Sequence, residues 1–576
     1  MATLQHLRIR NFRSVENFEQ SFTSGISCII GRGDSGKTSI IDAISYVFSS
    51  HWGLHFYDSD FFNCNTENSI EIEGTIINVP SKLLIKYGAH IRGILQDGSI
   101  IDDMEIEEAK NAIPALTIKL VVTKDLEPQW FVVSDRELES MPITAADRGL
   151  INSFSVSDYT DRHFSLNKGN PLYSLYKQLA GEDAQDGANV VLEIIRQAKT
   201  NFDATVAEKF TSVIAKITDV ASKLGIQLNE IKASLDHRDI SLGENKVCLH
   251  EGSIPFRLKG RGSKRLLSLA IQLSLTQPSG IILIDEVEQG LEPDRVQHLV
   301  SILGKNYKDT QIILTTHSSS VVTELPSQCL YIMRYGGHSF QMVGDELQNC
   351  TRSNPEAFFA KKILVCEGAT EVGICRAINE YRIRQGKVSA ACLGIRFVDG
   401  HGDSMIDYVE KFRSLGYDCC LFCDSDKDGI NGKKAGIRSR GVTIVDCQNN
   451  NAIEQQMFMD ISWQQAKELV AYYVEIEDKE PRAIFDSVNS KLINKRKFSD
   501  DWMRDDSADL RQALGNAAKV DYKPKQDGTL KEKGGWFKRQ DHGAQIGSII
   551  LSTFDDIKND VHLKIMFNSI MQWMDA

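Results

Sequence analysis

The sequence predicts a multidomain α/β protein in which two parallel-sheet parts follow one another along the chain. Its 576 residues exceed what a single hydrophobic core usually supports. Short, fully apolar runs at residues 281–284, 312–314 and 363–365 are typical of strands buried on both faces of a parallel sheet. Between the early and late runs, residues 170–240 carry apolar residues at helical spacing with little Gly or Pro, which predicts a helical insertion.

The elements can be assigned in chain order. Residues 1–48 are predicted to form strand, turn, strand, glycine-rich loop and helix, and alternating runs between residues 65 and 145 predict a strand-rich meander. Residues 243–350 return to an α/β pattern. The polar, turn-rich segment 345–358 is the candidate linker to a second α/β series. The tail, 520–540, is predicted to form loops before a final helix.

Composition narrows the class of protein. Apolar residues make up 42% and charged residues 25% of the chain, and no run approaches the roughly 20 apolar residues of a membrane span. Without a signal peptide, we expect a cytoplasmic protein with no membrane partner. The twelve cysteines show no disulfide framework, and the pair Cys420 and Cys423 is interpreted as buried strand residues. The net charge of −12 argues against a protein that simply coats nucleic acid, but allows a local basic groove.

Residues 31–38, GRGDSGKT, match the phosphate-binding P-loop pattern and lie between an apolar strand and a helix. Glycines let backbone N–H groups surround a phosphate, Lys37 reaches the β and γ oxygens, and Thr38 offers a hydroxyl to Mg²⁺. The predicted ATP-binding residues are Gly31, Gly33, Asp34, Ser35, Gly36, Lys37, Thr38 and Ser39.

A second nucleotide-site motif lies at residues 281–286, where four apolar residues precede two acids. Asp285 is predicted to hold the Mg²⁺ that accompanies ATP. Glu286 is placed to orient or deprotonate the attacking water. A strand ending in surface acids is the alternative, which the P-loop upstream disfavours.

Segments on either side of that motif resemble those of ABC-type ATPases. KGRGSKR at 259–265 precedes it, and QGLEPD at 289–294 and then His317 follow it. The resemblance implies a dimer of ATP heads, with Gly262 and Ser263 contacting the γ-phosphate of ATP held by the other subunit and His317 as the switch histidine. The loop departs from the common LSGGQ form. LRIRNFRS before the P-loop resembles the heads of the RecF and structural-maintenance families of DNA-repair ATPases.

Asp424, Asp426 and Asp428 follow an apolar run at every second position. In strand geometry they share one face, and crowded carboxylates need a cation between them. A solvated acidic turn is the alternative. A calcium-binding loop is disfavoured, because the twelfth position counted from Asp424 holds no acidic residue, and an EF-hand requires one there. Together with ILVCEGATE at 363–371, the aspartates resemble the Toprim domain of topoisomerases, primases and some nucleases.

Carboxylates at the carboxyl ends of parallel strands form an oxygen-only site that suits Mg²⁺ or Mn²⁺, and two clusters make two ions plausible. The resemblance implies a further ligand after the next strand, at Glu454. The predicted metal ligands are Glu367, Glu371, Asp424, Asp426 and Glu454, of which Glu367 and Asp424 are also taken as catalytic.

An ABC-type head with a helical insertion, followed by a Toprim domain, is similar over nearly the full length to the OLD (overcoming lysogenization defect) family of nucleases. The resemblance implies metal-dependent DNA cleavage coupled to ATP-driven contacts between the heads of a homodimer or higher oligomer, often in defence against phage. A co-encoded partner, either a helicase or a retron reverse transcriptase with its DNA, is implied by analogy. Lys538, in GGWFKRQ, would stabilise charge on the scissile phosphate; a solvated basic stretch is the alternative.

The resulting expectation is an ATP-binding, metal-dependent endonuclease. The predicted domains are residues 1–150 and 243–350 for the two parts of an ABC-type ATPase, 151–242 for a helical dimerisation insertion, and 351–576 for a Toprim domain with a C-terminal extension. The alternative is a nucleotide-switched, DNA-binding repair ATPase whose Toprim site is regulatory. Topoisomerase and primase functions are disfavoured, because neither a DNA-gate domain with a nucleophilic tyrosine nor a zinc module is evident.

Overall fold

The computed structural model divides the chain into two compact units, Met1–Ser27 with Thr38–Thr315, and Cys28–Lys37 with Thr316–Ala576. It describes residues 2–51, 53–102, 111–136, 139–156, 163–164, 170–180, 249–251, 253–276, 280–307, 310–334, 340–524 and 530–576, together with 197 and 215. Most of the predicted helical insertion, 151–242, therefore lies outside the described residues. Within these ranges, no helix is both long enough and apolar enough to cross a bilayer.

The first unit contains an antiparallel sheet in the region where alternating runs predicted a meander. The described strands between residues 2 and 142 are β1 (Thr3–Phe12), β2 (Val15–Ser21), β3 (Ile26–Ile30), β4 (Ile70–Ile77), β5 (Arg92–Ile94), β6 (Ile100–Ile101), β7 (Ile113–Val122), β8 (Pro128–Val133) and β9 (Met141–Pro142). All of them except β3 belong to this sheet. Their order in this sheet is β2-β1-β4-β7-β5-β6, with β8 beside β7 and β9 beside β8. On β4, Ile70 and Ile72 are buried, whereas Glu71 and Glu73 form ion pairs with Lys119, so alternation separates an apolar face from a charged one.

Three further strands of the first unit pair in parallel: β10 (Ser153–Val156), β13 (Ile281–Ile284) and β14 (Gln311–Thr316). All residues of β13 and β14 are buried, as their apolar sequences predicted. The side-chain amide of Gln311 joins this layer to β1, since it accepts from the N–H of Leu4 at 2.7 Å and donates to its carbonyl at 2.8 Å. The accompanying elements are α1 (Lys37–Val47), α2 (Ser81–Lys86), α3 (Ala145–Arg148), α4 (Pro171–Ala180), β11 (His250–Glu251), β12 (Ile254–Pro255), α5 (Arg261–Thr276) and α6 (Pro293–Asn306).

The second unit contains a four-stranded, fully parallel sheet. Its strands are β17 (Lys362–Cys366), β18 (Ile395–Asp399), β19 (Asp418–Cys423) and β20 (Thr443–Asp446). Their order in the sheet is β18-β17-β19-β20. Cys420 and Cys423 are buried on β19, which confirms their interpretation as strand residues. In the same unit, β3 pairs with β15 (Leu330–Met333), which pairs with β16 (Phe340–Met342). Helices in chain order are α7 (Ser319–Glu324), α8 (Gln348–Ser353), α9 (Ala369–Arg384), α10 (Ala390–Leu393), α11 (Met405–Ser414) and α12 (Asp428–Ser439).

The C-terminal extension is mainly helical, and its tail differs from the prediction. Residues 520–540 contain a hairpin rather than loops alone, and two helices follow it rather than one. The elements are α13 (Ile453–Asp460), α14 (Trp463–Glu477), α15 (Pro481–Lys491), α16 (Ala508–Lys519), β21 (Asp521–Pro524), β22 (Leu530–Gly534), α17 (Gln540–Ser552) and α18 (His562–Asp575).

Helices α9 and α17 approach each other closely because glycines stand where they meet. A Cβ built on Gly543 would lie 2.1 Å from the carbonyl oxygen of Thr370, and one built on Gly373 would lie 2.2 Å from that of Gln540. Real side chains do not tolerate such distances, so the helices are in backbone contact. This contact fixes the C-terminal extension against the helix that follows β17.

The segment 345–358, predicted to be a linker, is instead folded into the second unit. It contains α8, and Pro355–Phe359 form a 3₁₀ helix. Cys350 and Phe358 are buried, and the hydroxyl of Tyr417 donates to the carbonyl of Phe358 at 2.8 Å. The prediction was wrong because the segment's polar residues outnumber the few apolar ones that anchor it.

Candidate metal centre and nucleotide-binding elements

Two acidic residues follow directly after neighbouring strands of the parallel sheet in the second unit. Glu367 comes after β17 and Asp424 after β19, and these two strands pair with each other. The backbone N–H of Asp424 donates to Glu367 Oε2 at 3.0 Å, while the N–H of Glu367 donates to the carbonyl of Phe422 at 3.0 Å. The structure therefore brings the two carboxylates together at the carboxyl edge of the sheet, where open α/β sheets bind ligands.

Asp426 completes a group of three carboxylates. One oxygen from each of Glu367, Asp424 and Asp426 lies within 4.8 Å of the other two. Asp424, Asp426 and Asp428 do not share one face of a strand, so that prediction was wrong: β19 ends at Cys423. Asp424 and Asp426 reach the group from a loop, whereas Asp428 is exposed at the start of α12.

Glu371 and Glu454, the other two predicted ligands, are buried near this group. Glu371 Oε2 accepts the N–H of Gly368 at 2.9 Å and so caps the first turn of α9. The side chain of Glu454 is 1% exposed, and its Oε1 lies 3.1 Å from Lys538 Nζ. Glu454 Oε2 is buried without a hydrogen-bond partner among the described residues. An orphaned, buried carboxylate oxygen fits a cation ligand, because leaving it unpaired costs free energy.

Burial and mutual repulsion oppose ionisation of the innermost carboxyl groups. Burial, reinforced by the charge of Glu454, raises the pKa of Glu371 to about 7. Burial, reinforced by the charges of Glu371, Glu454 and Glu367, raises the pKa of Asp424 well above its ordinary value. A cation would relieve this repulsion, and ligands that are all oxygen suit Mg²⁺ or Mn²⁺ rather than zinc.

Lys538 pairs with Glu454, one of the predicted metal ligands. Its side chain is 56% exposed, so the ammonium is accessible to a ligand while it pairs with Glu454. Burial lowers the pKa of Lys538, but the charges of Glu454, Glu371 and Asp424 outweigh this effect and raise the pKa above its ordinary value. Lys538 therefore stays protonated at neutral pH.

Three further lysines, which the sequence analysis missed, also contact this acidic region. Two of them pair with predicted metal ligands, and the third holds the loop between β19 and α12 through a backbone carbonyl. The contacts are Lys519 Nζ to Asp426 Oδ2 at 2.7 Å, Lys427 Nζ to Glu367 Oε1 at 3.5 Å, and Lys434 Nζ to the Asp424 carbonyl at 2.8 Å. No local pattern could have identified Lys519, because it lies 93 positions from Asp426 in the sequence.

The P-loop adopts backbone angles that glycine favours. Positive φ angles occur at Gly31 (153°), Asp34 (60°) and Gly36 (97°). A Cβ built on Gly31 would lie 2.3 Å from the carbonyl oxygen of Met333, so only glycine fits there. The Lys37 ammonium donates to the carbonyls of Gly31 and Arg32 at 3.0 and 2.7 Å. It also donates to Ser35 Oγ at 3.2 Å, which places Lys37 over its own loop.

In the first unit, Asp285 and Glu286 follow β13, and the hydroxyl of Thr315 hydrogen-bonds to both residues. Thr315 Oγ1 donates to Asp285 Oδ1 at 2.6 Å and accepts the N–H of Glu286 at 2.8 Å. Thr38 Oγ1 lies 3.4 Å from the same Asp285 oxygen, as expected for two groups predicted to share one Mg²⁺. Glu286 has a φ of 47°, a left-handed backbone conformation that turns the chain sharply at the end of β13. Ser39 Oγ lies 3.3 Å from Ser14 Oγ.

Gly262 and Ser263 lie in the first turn of α5. Gly262 is buried, and a Cβ there would lie 2.4 Å from the carbonyl oxygen of Gly290, so the segments 259–265 and 289–294 touch. Ser263 is exposed. Arg265 donates to Gln289 Oε1 at 2.9 Å, which further ties the two segments. The contact of Gly262 and Ser263 with ATP of a partner subunit remains a prediction.

In the second unit, His317 follows β14 and is exposed. It lines a cleft of about 420 Å³ together with Arg32, Gly33 and Arg396. The nearby Gly394 has a φ of 74°, and a Cβ there would lie 2.3 Å from the Arg32 guanidinium. This part of the P-loop thus contacts the segment that leads into β18.

Three family models match parts of the chain. Residues 3–127 match an AAA ATPase domain, residues 195–323 match an AAA domain described as a putative AbiEii toxin of a type IV toxin–antitoxin system, and residues 358–426 match an OLD-like TOPRIM domain. The matches confirm the predicted fold class, a P-loop ATPase part followed by a Toprim domain.

Individual proteins are similar over parts of the chain. The DNA replication and repair protein RecF of Acholeplasma laidlawii is 22% identical over 343 residues, which cover 54% of this chain and 92% of that protein. The retron Ec83 probable ATPase of Escherichia coli is 34% identical over 88 residues, 13% of this chain and 16% of that protein. The Smc head domain of Pyrococcus furiosus, solved with the C-terminal domain of ScpA, is 15% identical with a TM-score of 0.33 and covers 58% of this chain and 95% of that structure.

Proposed function

We propose that this chain, an AAA-type ATPase joined to an OLD-like TOPRIM domain, is an endonuclease that hydrolyses DNA phosphodiester bonds with divalent cations. The observation that carries the proposal is the convergence of Glu367, Asp424 and Asp426 within 4.8 Å at the carboxyl edge of a parallel sheet. Such a group has little use in stabilising a fold, because like charges in close contact raise the free energy of the folded state.

The residues present fit Mg²⁺ or Mn²⁺. Glu367, Asp424 and Asp426 would hold one ion, and Glu371 with Glu454 would serve a second. When bound, two such ions supply an activated water and stabilise the leaving oxygen in phosphodiester hydrolysis. The proposal is supported by the buried Oε2 of Glu454, which has no hydrogen-bond partner among the described residues, and by the raised pKa of Glu371.

Lys538 is the residue that we assign to the scissile phosphate. Glu454 positions its ammonium, and because the lysine side chain is 56% exposed, the ammonium is accessible to a phosphate oxygen while it pairs with Glu454. A protonated lysine at this place neutralises the charge that develops on the phosphate in the transition state. Lys427, also partly exposed beside Glu367, extends the positive surface along which a DNA backbone would lie.

ATP is assigned to the motifs of the ATPase part. Lys37 and the P-loop backbone bind the phosphates, Thr38 and Asp285 hold the accompanying Mg²⁺, and Glu286 acts on the attacking water. His317 would sense the γ-phosphate. We further propose a homodimer in which Gly262 and Ser263 complete the partner subunit's nucleotide site.

A role in defence against phage is proposed from the similarity to the retron Ec83 probable ATPase. On this basis the chain would act with a co-encoded partner, such as a reverse transcriptase with its DNA. The alternative is a nucleotide-switched DNA-binding ATPase in which the Toprim site regulates and does not cut.

Cleavage of supercoiled plasmid by the purified protein in Mg²⁺ or Mn²⁺, with and without ATP, tests the proposal. Asp424→Asn removes one charge and retains a side-chain oxygen that can accept from the N–H of Ile453, as Asp424 Oδ1 does at 2.8 Å. We expect Asp424→Asn to abolish cleavage. The matched control Asp428→Asn, at an exposed aspartate outside the group, should cut like wild type.

Lys37→Ala run in parallel shows what ATP contributes to cleavage. Equal cleavage by wild type and Asp424→Asn would refute the assignment of the site. Metal-dependent DNA binding without cleavage under every condition would support the regulatory alternative.

A further inference from the structure

Lys519, the last residue of α16, forms an ion pair with Asp426, one of the proposed metal ligands. Its Nζ lies 2.7 Å from Asp426 Oδ2, and the two side chains are 32% and 15% exposed. This is the distance of a charge-assisted hydrogen bond, in which the ammonium satisfies one of the two oxygens that Asp426 can offer to a cation. In this state, Asp426 has a positive partner without any metal.

The backbone that carries Lys519 is held rigidly next to the backbone that carries Lys538. A Cβ built on Gly535 would lie 2.8 Å from the carbonyl oxygen of Lys519 and 2.7 Å from Cε of Lys538. The N–H of Trp536 donates to the carbonyl of Ala518 at 2.8 Å. The Trp536 ring stacks on Tyr473 with centroids 4.3 Å apart, which anchors this junction in the core. These contacts tie the end of α16 to the segment that carries Lys538.

The two lysines differ in the carboxylate that each one holds. Lys538 pairs with Glu454, whose side chain is 1% exposed and would be left as a buried, unpaired charge without it. Lys519 pairs with Asp426, which shares a 4.8 Å group with Glu367 and Asp424. A divalent cation in that group and an ammonium on the same carboxylate repel each other strongly at such short range.

We propose that Lys519 is the resident counter-ion of Asp426, which a divalent cation must displace before the group of Glu367, Asp424 and Asp426 is fully loaded. The inference rests on the proposed function, because it assigns a cation to this group. Lys519 thereby sets the metal concentration at which the centre fills. Once displaced, its ammonium swings toward solvent from a fixed point beside Lys538, on the side where the DNA phosphate is proposed to lie.

If Lys519 had a purely structural role, we would expect its side chain to be buried and to bridge two protein groups, as that of Lys434 does. The side chain of Lys434 is 6% exposed and bridges the Asp424 carbonyl and Asp446 Oδ2, so it holds the loop in place. Lys519 instead reaches Asp426 from the outside with one third of its side chain exposed. The long, partly solvated side chain can leave its partner at a small cost in free energy.

The test is Mn²⁺ binding to the full-length, nucleotide-free protein, measured by calorimetry and by electron paramagnetic resonance. Lys519→Met keeps the length and apolar stem of the side chain and removes its charge. We expect its affinity for Mn²⁺ to be about two- to fivefold tighter than that of wild type, the range set by loss of a partly exposed ion pair. Lys519→Arg, which retains the charge, and Lys558→Met, which removes an exposed lysine elsewhere in the unit, should bind like wild type.

Unchanged or weaker binding by Lys519→Met would overturn the inference, since weaker binding would mean that Lys519 positions Asp426 for the metal. A second measurement, lysine acylation, uses the wild-type protein alone. Acylation of lysines followed by mass spectrometry should show Lys519 becoming more reactive when Mn²⁺ is added, with Lys558 unchanged. Failure of the proposed function looks different: wild type and Asp424→Asn would then bind Mn²⁺ equally.

Discussion

Gly543 provides a sharp test of how the C-terminal extension is held against the Toprim sheet. Gly543→Ala places a methyl group 2.1 Å from the Thr370 carbonyl oxygen, 2.9 Å from the Thr370 carbonyl carbon and 3.0 Å from the Cα of Gly373. These are backbone atoms, so no side-chain rotation relieves the overlap and the two helices must separate.

The magnitude follows from two opposing effects. Alanine in place of glycine inside a helix stabilises by roughly 1 kcal/mol. Overpacking against a rigid backbone costs up to about 3 kcal/mol. The net loss for Gly543→Ala is therefore about 2 kcal/mol, or a melting temperature lower by roughly 4–8 °C for a unit of this size.

Gly432→Ala is the matched control. Gly432 lies in α12, is exposed, and a Cβ there meets no atom within 4 Å, so only the favourable helix effect of roughly 1 kcal/mol remains. Thermal unfolding of the full-length protein compares both variants with wild type, and hydrogen exchange of the peptides from α9 and α17 locates the change. A Gly543→Ala protein as stable as Gly432→Ala would refute the backbone contact between these helices.

Two further predictions concern the carboxylates and the nucleotide site. Without metal, the second unit should lose stability as pH rises from about 4.5 to about 7, because the folded state keeps a proton on Glu371 that the unfolded chain has already released. Pulse proteolysis across this range should show the loss, and Mg²⁺ or Glu371→Gln should flatten it; stability that rises with pH in metal-free buffer would contradict the assignment. Thr315→Val should slow ATP hydrolysis by at least about tenfold with little effect on nucleotide affinity, because Asp285 and Glu286 lose their shared hydroxyl; a steady-state assay with unchanged turnover would refute this.

The features that the sequence predicted well are those encoded over a few neighbouring residues. An apolar run followed by an acid located the ends of β13 and β17, and so placed Asp285 and Glu367 after strand termini. The alternation of Ile and Glu on β4 contributed to the prediction of a strand-rich meander. These patterns can be read locally because successive side chains of a strand point to opposite faces of the sheet.

The features that the sequence did not predict depend on contacts between distant segments. Lys519 meets Asp426 only because α16 ends near the loop after β19, and nothing in either segment indicates that meeting. The grouping of Asp424 with Asp426 was correct, but its stated reason, a continuing strand, was wrong because β19 ends at Cys423. Gly373 and Gly543 look unremarkable in the sequence until α9 and α17 are placed side by side.

Anomalous diffraction from crystals of the wild-type protein grown with Mn²⁺ would locate the bound cation. We expect a Mn²⁺ peak among the carboxylates of Glu367, Asp424 and Asp426, with Lys519 turned away from Asp426. Mn²⁺ at other sites, with no peak in this group and Lys519 still paired with Asp426, would refute the proposed metal centre.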